Sequence, residues 1–286
     1  MKWYNINMEI EMRKRKKRKR FLYIPFIILI LVLGYLAYSQ FLKEDESEEK
    51  VKERVEQTQP PVEKIEEEEI VPQGPAYEEL FSVIDGQQAY VVVPTNINQK
   101  NPPTLILYSH GSNTTVTTNM EDQFMKDLQQ YGIFFTSHNY IFSASNQHGV
   151  NWGNTASVQD TLNLKNWVAQ NYNIQPKVYL IGFSMGGLPT MNFATSYPDV
   201  VERIALLAPT TKSSAWDQSR AEKLKEMNIK LWHGNKDVNV PYSYSVSFVK
   251  KLEGYGIYID FVTLEGKGHF EIDTEYMEDI LEFFSS

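Results

Sequence analysis

One hexapeptide, Gly182-Phe183-Ser184-Met185-Gly186-Gly187, limits this chain more than any other stretch. Before it, residues 177–181 form a short apolar run with β-branched and aromatic side chains, and after it residues 188–197 read as a helix. A Gly-x-Ser-x-Gly turn between a strand and a helix is a nucleophile elbow. The serine sits in a strained turn, and its neighbours must be small enough for two backbones to pass closely. The first amides of the helix and the positive end of its dipole then face any negative charge that develops at Ser184. Five residues can also match by chance, so the rest of the chain must decide what the turn is for.

Charge is distributed unevenly along the 286 residues. Residues 1–42 carry a net +7, residues 43–76 a net −7 and residues 77–286 a net −8, with twenty-two acidic against fourteen basic side chains in the last part. An acidic globular region is a poor partner for nucleic acid, and no nucleic-acid partner is expected. The sequence has no cysteine, which excludes disulfides, thiol nucleophiles and cysteine metal sites.

Residues 13–20 are eight consecutive Lys or Arg, and residues 21–42 are uncharged and mostly apolar. Twenty-two residues suffice for one transmembrane helix, and the positive-inside rule puts residues 1–20 in the cytoplasm and the remainder outside the cell membrane. The competing expectation is a cleaved signal peptide, with Ala37-Tyr38-Ser39 as a small-x-small site. The apolar stretch exceeds a usual signal core, which favours an uncleaved anchor. Residues 43–76 are rich in Glu, punctuated by Pro60, Pro61, Pro72 and Pro75, and too poor in large apolar side chains to bury a core, as expected of a stalk.

From Tyr77 the composition becomes that of one globular α/β domain, residues 77–286. Strands are expected at residues 89–94, 104–108, 133–136, 177–181, 203–207, 229–232 and 257–264. Helices are expected at 120–131, 157–172, 188–197, 214–227, 244–253 and 274–284. Alternation of this kind implies a mostly parallel sheet with helices on both faces. Ligands then bind beyond the carboxyl ends of the strands.

Two of the loops there carry what an elbow serine needs, a base and a group to orient it. After 229–232 comes His233-Gly234-Asn235-Lys236-Asp237, and after 257–264 comes Glu265-Gly266-Lys267-Gly268-His269. Asp260 and Asp217 are rivals to Asp237, but the first falls in a strand pattern and the second in a polar segment before a helix. His110, in the Ser109-His110-Gly111-Ser112 loop, and His233 both read as residues that shape their loops.

With its Ser, Asp, His order, His110-Gly111, the elbow, the Asp237 turn with Val240-Pro241, and Gly268-His269, the segment 77–286 resembles the α/β-hydrolase superfamily. The resemblance implies a mostly parallel central sheet and a serine hydrolase, most simply a carboxylesterase. Ser184 would be nucleophile, His269 base and Asp237 orienter, with the oxyanion held by the backbone N–H of Met185 and of Ser112. Such machinery uses no metal or cofactor, and none is expected. A serine peptidase or thioesterase of the same fold, and an inactive surface binding module, remain alternatives.

On the substrate side, residues 137–154 form the longest stretch without clear structure, and His148, Trp152 and Asn154 are candidates to line a cleft. Only about twenty residues separate the strands ending at Leu207 and starting at Ile229, where a lid would be inserted. An open cleft for small or exposed acyl substrates is the expectation.

Overall fold

The computed structural model describes residues 76–286. The basic segment, the apolar span at 21–42 and nearly all of the acidic stretch lie outside the described residues. Among the described residues no helix is long and apolar enough to cross a membrane.

Eight strands make one sheet in the order β1-β2-β4-β3-β5-β6-β7-β8, where β1 is Tyr77–Ile84, β2 Gln87–Pro94, β3 Thr104–Ser109, β4 Tyr140–Ser145, β5 Val178–Phe183, β6 Val201–Leu207, β7 Asn228–Gly234 and β8 Asp260–Leu264. The strands β3 to β8 run parallel, and β1 and β2 form an antiparallel edge hairpin. That hairpin turns on Asp85-Gly86, both with positive φ (48° and 80°), the backbone a two-residue hairpin turn requires. The sequence reading found β2 and missed β1.

The helices α1 (Gln123–Thr136) and α6 (Met277–Ser285) cover one face of the sheet; α2 (Thr155–Asn171), α3 (Gly187–Ser196), α4 (Gln218–Glu222) and α5 (Tyr242–Glu253) serve the other. Each face has its own apolar core. The first joins Phe124, Leu128, Tyr131 and Phe135 of α1 to Ile106 and Phe142. The second joins Leu164 of α2, Phe193 of α3 and Phe248 of α5 to Leu105, Leu180 and Leu231. Strands buried on both faces explain the near-continuous apolar runs in the sequence.

Three expectations need correction. Residues 133–136 are the last turn of α1, because Tyr131 and Phe135 continue the buried stripe begun by Phe124 and Leu128 at helical spacing. The strand lies further on at Tyr140–Ser145, inside the segment expected to lack structure, after Asn139 has turned the chain with φ 66°. The helix expected at 214–227 shrinks to Gln218–Glu222. Trp216 is extended and buried, which breaks any helix before it, and the Asp217 carboxylate then caps α4 by accepting from the Arg220 amide at 2.8 Å.

Candidate active site

The carboxyl ends of β3, β5, β7 and β8 converge on one cleft, where ligands of parallel α/β sheets bind. Ser184 opens a single 3-10 turn, Ser184–Gly186, between β5 and α3, and has φ 54°, the left-handed region that a non-glycine residue occupies at a cost of about 1–3 kcal/mol. Its carbonyl accepts from Thr210 N–H at 2.7 Å, which ties the elbow to the loop after β6. A Cβ at Gly186 would collide with the carbonyl oxygen of Ser109, at the end of the neighbouring β3. Only glycine lets the elbow sit that close to the sheet.

His269 lies in a 3-10 turn after β8 with Nε2 2.9 Å from Ser184 Oγ and Nδ1 2.6 Å from Asp237 Oδ2. The carboxylate accepts, so in the neutral ring Nδ1 carries the proton and Nε2 presents its lone pair to the serine hydroxyl. Asp237 is fixed in turn: its Oδ1 accepts from the backbone N–H of Asn239 and of Val240, each at 2.8 Å. All three residues are buried, and the Phe183 ring packs against the imidazole with 5.1 Å between centroids. Asp260 pairs with Lys230 at 3.2 Å, and Asp217 is the cap of α4, so neither rival reaches His269.

His233, at the end of β7, was expected only to shape its loop, yet it touches the same carboxylate. Its Nε2 lies 3.1 Å from Asp237 Oδ2 and 3.0 Å from Val240 O, and its Nδ1 lies 2.7 Å from Ser245 Oγ. Both neighbours of Nε2 are acceptors, so Nε2 donates and Nδ1 accepts the Ser245 hydroxyl proton. Burial, opposed by the Val240 carbonyl and Asp237, pushes the His233 pKa below its ordinary value and keeps the ring neutral. The available sequence signal was the four-residue spacing to Asp237 across a glycine turn. His110 does shape its loop: its ring nitrogens lie 2.7 Å from Gly111 O and 3.0 Å from Asn146 O.

The cleft encloses about 620 Å³ and is lined, besides Ser184 and His269, by Ser112, Asn113, Trp152, Tyr244 and Phe270. Trp152, Val238 and Phe270 are largely exposed around it, forming an apolar rim. Met185 follows Ser184 directly and is fully buried, and Ser112 borders the cleft in the loop whose Gly111 packs beside Ser184 Cβ. Of the three residues expected on the substrate loop, only Trp152 reaches the cleft. His148 turns away to Asp160, Nδ1 to Oδ2 2.5 Å, and Asn154 caps α2 by accepting from Ser157 N–H at 2.9 Å. Polar side chains near a helix start were spent on that helix.

Fold and site together define an α/β hydrolase. Residues 86–286 match the phospholipase/carboxylesterase family model, and the chain belongs to that family. Two curated relatives, each named homoserine O-acetyltransferase, are 31% identical over 132 residues (Corynebacterium glutamicum) and 30% identical over 141 residues (Corynebacterium efficiens). These matches take in 44% and 46% of this chain, which spans about a third of the relatives' length, 33% and 35%. Among solved structures, a thermostable esterase superposes with TM-score 0.55 at 17% identity, covering 73% of this chain and 62% of the other. Est1E from Butyrivibrio proteoclasticus superposes with TM-score 0.53 at 18% identity, covering 73% and 99%. At these identities the structures share the fold with this chain.

Proposed function

We propose that the protein is a serine carboxylesterase, anchored in the membrane by residues 21–42 with residues 43–76 as stalk and the catalytic domain 77–286 outside the cell. The observation that carries the catalytic reading is the unbroken hydrogen-bonded line from Ser184 Oγ through His269 to Asp237. The anchor and the orientation rest on the sequence, on the apolar span and its basic flank.

In this reading Ser184 Oγ bonds to the ester carbonyl carbon as its proton passes to His269 Nε2, and the carbonyl π pair moves onto oxygen. Asp237, held by its amide donors and by His233, stabilises the imidazolium. The N–H groups of Met185 and Ser112 receive the oxyanion, each such donor contributing roughly 10²–10³ in rate. Collapse expels the alkoxide, which takes the proton from His269, and water repeats the sequence on the acyl-enzyme. The apolar rim of Trp152, Val238 and Phe270 suits an ester with an apolar group over a cleft open to solvent.

The test is labelling of the protein by a fluorophosphonate, which esterifies an activated serine, beside Ser184→Ala and His269→Ala. Labelling of the wild type alone is expected, with turnover of short-chain esters. A folded wild type that does not label would sink the catalytic reading and favour a binding module.

A further inference from the structure

A second cavity, of about 220 Å³, opens beside the cleft and shares Trp152 and Thr210 with it. Its walls come from α3, through Leu188, Met191 and Asn192, and from the segment after β6, through Thr211, Trp216 and Arg220. Those walls carry two cations, Arg220 and the more exposed Lys212, and no carboxylate, on a domain in which acidic side chains outnumber basic ones.

Arg220 is held in a fixed pose. Its guanidinium lies over the Trp216 ring at 4.0 Å, Nη1 donates to Ala215 O at 3.1 Å and Nη2 donates to Asn192 Oδ1 at 2.5 Å. Asn192 passes the restraint on by donating to Gly153 O at 2.5 Å, beside Trp152. Two of the five guanidinium N–H groups are thereby used, and among the described residues no carboxylate stands within salt-bridge distance of the other three. The Asp217 carboxylate bears on it electrostatically, but is occupied as the cap on the Arg220 amide. Burial, the larger influence, pushes the Arg220 pKa down. The hydroxyl of Thr211, on the same walls, is buried without a hydrogen-bond partner among the described residues. A preorganised and half-buried cation with spare donors, facing a cavity with tryptophan walls, lacks one thing: an anion.

We propose that this cavity is a subsite for a carboxylate carried on an apolar group of the substrate, bound by the Arg220 N–H groups that Ala215 and Asn192 leave unused. This rests on Ser184 being an ester-cleaving nucleophile. The cavity adjoins the cleft through the shared Trp152 and Thr210, so one substrate could place its carbonyl at Ser184 and its anion at Arg220. A carboxylate fits better than a phosphate monoester. A charge near −2 would meet one wall cation, with only an exposed lysine beside it.

Trp216 lines this cavity and not the cleft, so in a Trp152→Phe background, used for every titration, occupancy can be read by tryptophan fluorescence without any turnover. The protein would be titrated with 3-phenylpropanoate, with the neutral 3-phenylpropanamide and with phenyl phosphate. Saturable binding of the carboxylate at least about 10-fold tighter than that of the amide is expected, since a hydrogen bond to a charged group contributes roughly 1.5–3 kcal/mol. Arg220→Gln should erase that margin. Because Arg220 also holds Asn192 and Ala215 O, a second variant, Ala215→Phe, would narrow the cavity with the guanidinium kept, and it should weaken both ligands together. Equal binding of acid and amide, tighter binding of phenyl phosphate, or an acid preference that survives Arg220→Gln would each overturn the proposal. Loss of fluorophosphonate labelling with carboxylate binding intact would instead overturn the hydrolase reading alone; ester turnover without an acid preference would overturn the subsite alone.

Discussion

His233 Nε2 and His269 Nδ1 approach the same oxygen, Asp237 Oδ2, at 3.1 Å and 2.6 Å. One carboxylate therefore receives two histidines, one facing Ser184 and one facing the core. The second is neutral through burial and held in one tautomer by the two acceptors at its Nε2, Asp237 Oδ2 and Val240 O. In the proposed mechanism it adds a donor to the carboxylate that stays ionised while His269 carries a proton.

His233→Ala should therefore lower kcat about 10-fold with KM little changed, the loss of one donor to a buried carboxylate being about 1–2 kcal/mol. His233→Asn, which keeps a donor of shorter reach, should recover part of it. Steady-state kinetics on a short-chain ester would decide, and a variant altered only in KM would contradict the positioning role.

Ser184→Ala should remove turnover while the far-ultraviolet spectrum and melting temperature stay near those of the wild type. The hydroxyl is a surface of the cleft and holds no element together. Asp237→Asn should cost roughly 10⁴ in kcat, because an amide in place of Oδ2 no longer fixes the imidazole tautomer. Wild-type rates in either variant would remove these residues from the chemistry.

Gly186→Ala tests the elbow as architecture. The added methyl meets the backbone carbonyl oxygen of Ser109, which cannot rotate aside as a side chain would, so β3 and the turn must part. A loss of about 2 kcal/mol or more in urea unfolding is expected, together with loss of labelling at Ser184. Full stability would mean that the close approach of elbow and β3 is not required.

How much of this was legible in the sequence depended on the range of the interaction involved. Ser184, Asp237 and His269 stood out because each occupies a turn with its own local pattern after an apolar run, and the structure brings those three turns together within hydrogen-bond distance. The strand at Tyr140–Ser145 was hidden because Phe134 and Phe135, which α1 packs against the core, suggested a strand too early. Strand β1 carries Glu78 and Glu79 on a half-covered edge, where the apolar signal is weak, although Asp85-Gly86 announced the hairpin. His148 and Asn154 showed the opposite limit: residue type suggested a cleft, while pairing with Asp160 and capping of α2, contacts of their own loop and helix, claimed them. The Arg220 cavity had no signature at all, since its walls are gathered from separate segments by packing.

Asp273, four residues beyond His269, is expected to make the stability of the fold depend on pH. Its carboxyl is buried against two phenols: Tyr131 donates to Oδ1 and to the Asp273 carbonyl at 3.0 Å each, and Tyr108 donates to Oδ1 at 3.3 Å. Burial, helped by nearby Asp127 and opposed by the two phenol hydrogen bonds, raises its pKa from 3.8 to about 6. Between pH 4 and 6 the folded chain therefore holds a proton at this site that the unfolded chain has released. Stability from the group is complete below pH 4 and lost as pH rises to about 6, a swing of about 3 kcal/mol at 1.36 kcal/mol per unit. His233, whose pKa is lowered, acts with the opposite sign on the acid side of its ordinary value. The two must be separated by difference. Asp273→Asn removes only the first, so the gap in unfolding free energy between variant and wild type should move in the variant's favour from pH 4 to pH 7 by up to about 3 kcal/mol. Urea unfolding at matched ionic strength measures it. A gap that stays constant with pH would show that Asp273 titrates alike in the folded and unfolded chains.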